Sequence, residues 1–328
     1  MSEAVRFPGV TYILPIKQTE PDRGSDLDDY FAALGKKLEL IAVDGSPDDV
    51  FEANDRRWQN VRHVAPSPEL TVQNGKVRGV LTGLQLASND HIIIADDDVR
   101  YDDESLSAII GHLDNADVVR PQNYFEPRPW HALWDSGRSL LNRLQGGDWP
   151  GTLALRKQAL ANGYNGDVLF ENLELVRTVQ ATGGCELLAL DLFVRRRPPA
   201  LSQFLNQRVR QAYDEFARPP RLLFQLSWLP LQLVLFRRGP AALLVLYAAV
   251  AGAAEVGRRR AGGDRVFPPL ASAAAPLWFI ERSVCAWVAV ASRLLQGGVS
   301  YRGGVIAKAA SSPAELRARL SPGEIEPA

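Results

Sequence analysis

Short Ile- and Val-rich runs alternate with helical patterns through the first 120 residues, and this alternation restricts the fold more than any other feature. Residues 10–15, 38–43, 61–65, 91–95 and 118–119 are brief, apolar and bounded by turn residues, as strands are. Between them 48–58, 75–87 and 103–113 read as helices, the second carrying Val77, Val80, Leu81, Leu84 and Leu86 at nearly helical spacing. Strict alternation predicts an α/β fold whose mostly parallel sheet is covered by helices on both faces. In such sheets ligands bind beyond the carboxyl ends of the strands. The candidate binding residues are therefore Pro15 to Lys17, Asp44 to Ser46 and Asp96 to Asp98. After Arg120 the alternation stops. Residues 121–129 read as a proline-rich loop, 130–144 as an amphipathic helix, 146–151 as a turn, and 167–180 and 202–216 as further helices.

Hydrophobic residues make up 46% of the chain, enough for a sizeable core, so neither disorder nor a disulfide scaffold is indicated. A formal net charge of −1 argues against nucleic acid as a partner, because neutralising phosphates needs a surplus of Lys and Arg. Cys185 and Cys285 belong to no metal or redox pattern and read as packing residues. The four histidines form no zinc-binding spacing. Neither a G-x-G-x-x-G turn nor a G-x-x-x-x-G-K loop occurs, so dinucleotide and Walker-type sites are unsupported. The opening MSEAVRFPGV has no apolar signal core, so the first domain is expected to stay in the cytoplasm.

Three carboxylates, Asp96-Asp97-Asp98, directly follow the apolar run 91–95. They repel one another unless a cation or solvent intervenes. Mg²⁺ and Mn²⁺ commonly use one or two such carboxylates together with substrate phosphates. A solvated acidic turn leading into a helix N-terminus is the plainer alternative.

The order of motifs around this triplet resembles family 2 of the inverting glycosyltransferases, which carry a GT-A fold. VTYILPIK looks like that family's first strand, and AVDGSPDD (42–49) like its second strand and base loop. NGKVRGVLTGLQLAS (74–88) is similar to its GKxxALNxGLxxA helix, and IADDDV (94–99) to its DXD strand end. The resemblance implies a nucleotide-sugar donor, UDP-linked by expectation, with Pro15 and Asp44 at the nucleotide, Asp44 contacting the base, and Lys76 beside it. It also implies Asp96 at the ribose, and Asp96 and Asp98 at a Mg²⁺ or Mn²⁺ ion bridging the diphosphate.

The similarity continues beyond the sheet. GDWPGTLALRKQAL (147–160) resembles the acceptor-side segment, and GDVLFENLELVRTVQATGG (166–184) the EDxxL helix bearing the general base. Asn172 stands where that motif has Asp, and an amide cannot accept the acceptor's proton. Glu171 or Glu174 then serves as base, with Glu171 the nearer, or the acceptor is already anionic. QFLNQRVRQAYDEF (203–216) looks like the Q-x-x-R-W motif of membrane-bound members, placing Gln207 at the donor and Arg210 at the leaving diphosphate. Gln211 replaces the Trp, which argues against a processive polymer synthase.

A mean hydropathy of −0.12 hides a sharp asymmetry. From Leu222 onward long apolar runs are punctuated almost only by arginines. The predicted organisation is a catalytic domain over 1–217, an apolar helical membrane-associated region over 218–300 and a polar tail over 301–328. The runs 222–236, 241–256 and 266–280 hold about fifteen residues each, short of the roughly 20 a straight span needs. Arg237-Arg238 and Arg258-Arg259-Arg260 flank the middle run, so a helix in the interface or a re-entrant hairpin keeps both on the cytoplasmic face. A single span over 270–295 with Glu281 and Arg282 buried together, and a soluble helical dimerisation domain, are the alternatives. Trp228, Trp278, Trp287 and Tyr301 are spaced as interfacial anchors.

The expected function is transfer of a sugar to a lipid or lipid-linked acceptor at the cytoplasmic face of the membrane. A catalytically weak nucleotide-sugar-binding protein and a soluble nucleotidyltransferase are the competing classes. The second should have a basic Gly-rich loop after the first strand, which PIKQTEPDRGS does not provide.

Overall fold

The computed structural model describes residues 6–20, 26–301 and 304–320. Residues 302–303 and 321–328 of the expected polar tail, and part of the segment after the first strand, lie outside them. The catalytic half runs β1 (Val10–Ile16), α1 (Asp26–Leu34), β2 (Glu39–Asp44), α2 (Asp48–Arg57), β3 (Arg62–Val64), α3 (Gly75–Leu86), β4 (His91–Ala95), β5 (Val99–Arg100) and α4 (Asp103–His112). It continues through β6 (Val118–Phe125), α5 (Trp130–Arg143), β7 (Thr152–Arg156), α6 (Glu171–Ala181), β8 (Glu186–Arg196), α7 (Leu201–Asn206) and α8 (Arg208–Tyr213). Beyond come α9 (Pro219–Leu226), α10 (Trp228–Arg238), α11 (Pro240–Arg259), α12 (Pro269–Gln296), a hairpin of β9 (Val299–Tyr301) and β10 (Gly304–Ile306), and α13 (Pro313–Leu320).

The main sheet has the order β3-β2-β1-β4-β7-β6-β8-β5. The pairings β3–β2, β2–β1, β1–β4 and β6–β8 are parallel, while β7 and β5 run antiparallel to their neighbours. Apolar residues on its two faces feed separate cores. Tyr12, Leu14 and Ile93 pack with α1 and α4, and Ile13, Ile41 and Ile92 with α3 and α6. That is the mostly parallel, doubly covered α/β sheet expected from the alternation. Gly83 lets α3 lie close on β1, since a Cβ there would stand 2.4 Å from a methyl of Ile13.

Sequence periodicity misses three features. The predicted loop 121–129 is strand as far as Phe125, because Pro121 falls at the register irregularity between Arg120 and Gln122. A missing N–H costs no regular ladder bond at such a bulge. β7 and β8 were not anticipated, and the single helix expected over 202–216 breaks at Gln207 into α7 and α8.

The apolar C-terminal region is not a separate body. α5 lies between the sheet and the pair α11 and α12, with glycines at both crossings. A Cβ on Gly137 would sit 2.6 Å from Ala275 Cα, and one on Gly257 would sit 2.0 Å from the Leu140 carbonyl oxygen. The third apolar run is longer than the 266–280 read from sequence, forming one 28-residue helix. Glu281 and Arg282 lie within it, both side chains buried. Glu281 approaches Arg208 at 3.5 Å, and Arg282 donates to the Gln211 carbonyl at 2.7 Å, so both turn to the catalytic half. Residues Pro240–Arg265 and Pro269–Gln296 are long and apolar enough to cross a membrane by length and composition. Their surroundings differ: 11% of the first apolar window is buried in the protein against 39% of the second.

Two further readings change. Arg258 pairs with Glu255 at 2.6 Å and Arg260 donates to the Leu144 carbonyl at 3.0 Å, so most of the second basic cluster is spent within the protein. Trp278 is buried rather than an interfacial anchor, whereas Trp287 is exposed.

Candidate active site

At the carboxyl ends of β1, β2 and β4 lies a polar cleft with two lobes. The lobe over the strand ends, about 300 Å³, is lined by Pro15, Lys76, Asp96, Asp98, Gln207 and Arg210 among others. Asn74 caps α3 by accepting from the Lys76 amide at 3.0 Å, and its own amide donates to the Val168 carbonyl. The capped first turn delivers Lys76 to the strand end. There its ammonium bridges Asp96 Oδ1 at 2.6 Å and Glu171 Oε1 at 2.8 Å. Burial opposes the charge on Lys76, but these two carboxylates outweigh it and hold its pKa far above the usual value.

Arg196, at the end of β8, donates from Nε to both oxygens of Asp98 at 2.8 Å and from Nη2 to Asp96 at 3.2 Å. Sequence reading overlooked this residue, although the run Arg195-Arg196-Arg197 after an apolar stretch was visible. Gly151 is the floor beneath the pair, since a Cβ would stand 2.6 Å from Asp96 Oδ2. The carboxylates respond differently. Burial pushes Asp96 up, yet Lys76 and Arg196 hold it below the usual range. Asp97 is pushed up to about 6 by burial and by repulsion from Asp98 and Asp96. Among the described residues no group of three or more His, Cys, Asp and Glu is arranged to hold a metal by itself.

Asp44 is buried and does not line this lobe, whose wall at β2 is Val43 and Gly45. It accepts from Asn54 Nδ2 at 2.8 Å, the Ser46 amide at 2.8 Å and His63 Nε2 at 3.2 Å. Burial would raise its pKa, but these partners hold it below the usual range. His63 stacks on Phe51 and also meets Asp55 at 3.0 Å. Burial disfavours its charge, and the two carboxylates reverse this and raise it.

The second lobe opens toward α5, α8 and α12 and is lined by Asp135, Arg138, Asp148, Asn172, Asp214 and Arg282 among others. Asn172 donates to the Pro150 carbonyl at 2.8 Å, tying α6 to the loop that precedes β7. Glu174 is fully buried and accepts from the Ser311 amide at 2.5 Å, outside the cleft. Arg210 stands over the Tyr301 ring at 5.3 Å and belongs to both lobes. Arg138, Asp148, Asp214, Trp278 and Arg282 carry no recognisable motif and were missed.

An adjoining apolar cleft of about 340 Å³ runs between α5, α9, α10, α11 and α12, lined by Leu141, Phe224, Trp228, Val250 and Phe279. It shares Asn142, Arg221 and Trp278 with the second lobe.

Residues 27–162 match the family model described as Glycosyl transferase family 2, so this stretch is similar to that family's domain. The fold is similar to the mannosyltransferase PcManGT from Pyrobaculum calidifontis, solved with GDP-Man and Mn²⁺, at 16% identity and a TM-score of 0.52, covering 88% of each chain. Weaker likenesses are glucosyl-3-phosphoglycerate synthase from Mycobacterium tuberculosis, solved with Mn²⁺ and UDP (19% identity, TM-score 0.43, 62% of this chain and 78% of that one), and mannosyl-3-phosphoglycerate synthase from Rubrobacter xylanophilus (13%, 0.43, 62% and 71%). No curated protein sequence matches the chain.

Proposed function

We propose that the protein transfers a sugar, with inversion, from a nucleoside diphosphate sugar to a lipid or lipid-linked acceptor at the cytoplasmic face of a membrane. The observation that carries this reading is that the polar cleft and the apolar one adjoin, with Asn142, Arg221 and Trp278 lining both. An acceptor with a polar, sugar-accepting group and an apolar anchor matches the chemistry of the two clefts. A UDP-linked donor is the first to test.

In this reading Pro15, Lys76 and Asp96 hold the nucleotide, with Asp44 shaping the base loop through Ser46. Gln207 and Arg210 close over the diphosphate, and Arg210 stabilises the charge that develops on it. Asp96 and Asp98 would hold Mg²⁺ or Mn²⁺. Two protein carboxylates fit an ion that takes its remaining ligands from the donor's phosphates and from water. When bound, that ion would act as a Lewis acid on the diphosphate. The same carboxylates now carry Arg196 and Lys76, so the site already favours positive charge.

The exposed apolar side chains of the C-terminal region, Leu223, Phe224, Phe236, Leu244, Val245, Leu294 and Leu295, support membrane association. α11, the more exposed of the two long helices, is the element proposed to enter the bilayer, next to the exposed Arg237 and Arg238. The test is to incubate the full-length protein in detergent with a panel of nucleotide sugars and Mg²⁺ or Mn²⁺, with and without lipid extract. Nucleoside diphosphate release that needs lipid is expected. Pyrophosphate release would establish a nucleotidyltransferase, and lipid-independent transfer to a soluble sugar would remove the lipid acceptor.

A further inference from the structure

Inverting transfer needs a proton acceptor, and α6 offers none that is free within the cleft: Asn172 is an amide, Glu171 is ion-paired to Lys76 at 2.8 Å, and Glu174 lies outside the cleft against the Ser311 amide. We propose that Asp214 takes the acceptor's proton, an inference that rests on the reading of this cleft as a glycosyltransferase site. Asp214 follows α8 directly and comes four positions after Arg210, so the two side chains share one face of the helical turn. Both line the lobe that also contains Glu171 and Asn172. Asp214 Oδ1 is buried without a hydrogen-bond partner, and among the described residues the carboxylate forms no ion pair. A buried acceptor left unpaired is costly, and an incoming hydroxyl would satisfy it.

The surroundings tune it for the task. Arg210 faces it from its own helix, Glu171 from α6, Arg282 from α12, and Glu215 is its chain neighbour. Burial pushes the carboxyl up to about 7, with Glu171 and Glu215 adding to the rise and Arg210 and Arg282 offsetting part of it. A base with a pKa near the working pH combines availability with proton affinity. Glu215 does not compete, since Arg218 at 3.0 Å, Arg221 at 3.2 Å and Gln225 at 3.1 Å already hold it.

In the step, the acceptor oxygen forms its bond to the anomeric carbon while its proton passes to Asp214. The electron pair of the breaking carbon–oxygen bond leaves with the nucleoside diphosphate beside Arg210. Neutral Asp214 then returns the proton to water.

The test compares Asp214→Asn, Asp214→Glu and Glu171→Gln in the full-length protein, with the donor and acceptor that the wild type turns over. Asp214→Asn is expected to lower kcat on the order of 10²–10⁴-fold, with nucleoside diphosphate binding by calorimetry unchanged. Asp214→Glu is expected to recover part of the rate. The acid limb of kcat against pH, with its midpoint near 7, should persist in Glu171→Gln and shift in Asp214→Glu, which gives a readout even if Asp214→Asn does not fold. Full turnover by Asp214→Asn, an unmoved limb in Asp214→Glu, or loss of the limb in Glu171→Gln would each overturn the assignment. A wild type that binds the diphosphate but transfers no sugar fails differently, because it removes the proposed function itself.

Discussion

The two lobes of the cleft are built in different ways. The proposed donor lobe rests on β1, β2, β4 and the first turn of α3, contiguous motifs within the first 98 residues, and Arg196, Gln207 and Arg210 reach it from later in the chain. The acceptor lobe is assembled from α5, the loop around Asp148, α6, α8 and α12, with residues as far apart as Asp135 and Arg282. Most of the proposed donor side is therefore built from local motifs. The proposed acceptor side depends on how distant helices pack.

The sharpest test of this division is Asp98→Asn. If the donor lobe depends on Asp98 for a diphosphate-bridging cation, this change should lower kcat/KM by at least 10²-fold, the usual worth of one transition-state charge contact. Chelator should inhibit the wild type to a similar degree. Undiminished turnover in chelator would mean that Arg196 and Lys76 alone manage the diphosphate charge.

The acceptor side should fail through packing. Gly257→Val drives a side chain into the Leu140 carbonyl on α5, and overpacking of this kind costs about 1–3 kcal/mol. A melting temperature lower by several degrees is expected. Acceptor KM should rise while nucleotide affinity is unchanged. Equal damage to both lobes would show that α5 supports the donor side as well. The same contacts argue that a chain cut near Arg218 would not fold, since α5 would lose α11 and α12.

These differences explain what could be read from the chain alone. The alternation of strand and helix, the capped α3 carrying Lys76, and the acidic end of β4 follow from local periodicity and turn chemistry. Arg196 reaches Asp98 from 98 positions away, and β7 and β8 fill the sheet from outside the alternating region. Such pairings depend on tertiary register, which no short window contains. Asp44 shows the converse case. Its position in the strand was legible, but the direction of its carboxylate was set by Asn54, Ser46 and His63.

The surface of α11 gives a smaller effect. Leu244 and Val245 are 68% and 70% exposed. Replacing both with Asp should weaken binding to vesicles containing anionic lipid by roughly tenfold or more, since burying one such side chain is worth about 1.5–3 kcal/mol. Turnover of a detergent-solubilised acceptor should not change. Equal flotation of the variant and the wild type with vesicles would remove α11 as the membrane contact.

The smallest expected effect lies under the donor lobe, at His63. Its folded pKa is raised by Asp44 and Asp55, so its contribution is fully present below the unfolded value near 6.5 and is lost as pH rises through the folded value. Asp44 has a lowered folded pKa, so its contribution is present above its unfolded value near 3.9 and is lost as pH falls through the folded one. Between these limits both groups are charged and the pair is strongest. His63→Gln keeps a donor for Asp44 but removes the charge, which at pH 6 should cost about 1–2 kcal/mol, the scale of a charge-assisted hydrogen bond. As pH rises through the folded pKa of His63 the gap between variant and wild type should close, because the wild-type imidazole loses its proton there. Thermal unfolding of both proteins across that range measures the gap directly. A difference that stays constant with pH would mean that His63 acts through its stacking on Phe51 rather than through its charge. The base loop held by Asp44 and Ser46 would then owe its shape to packing alone.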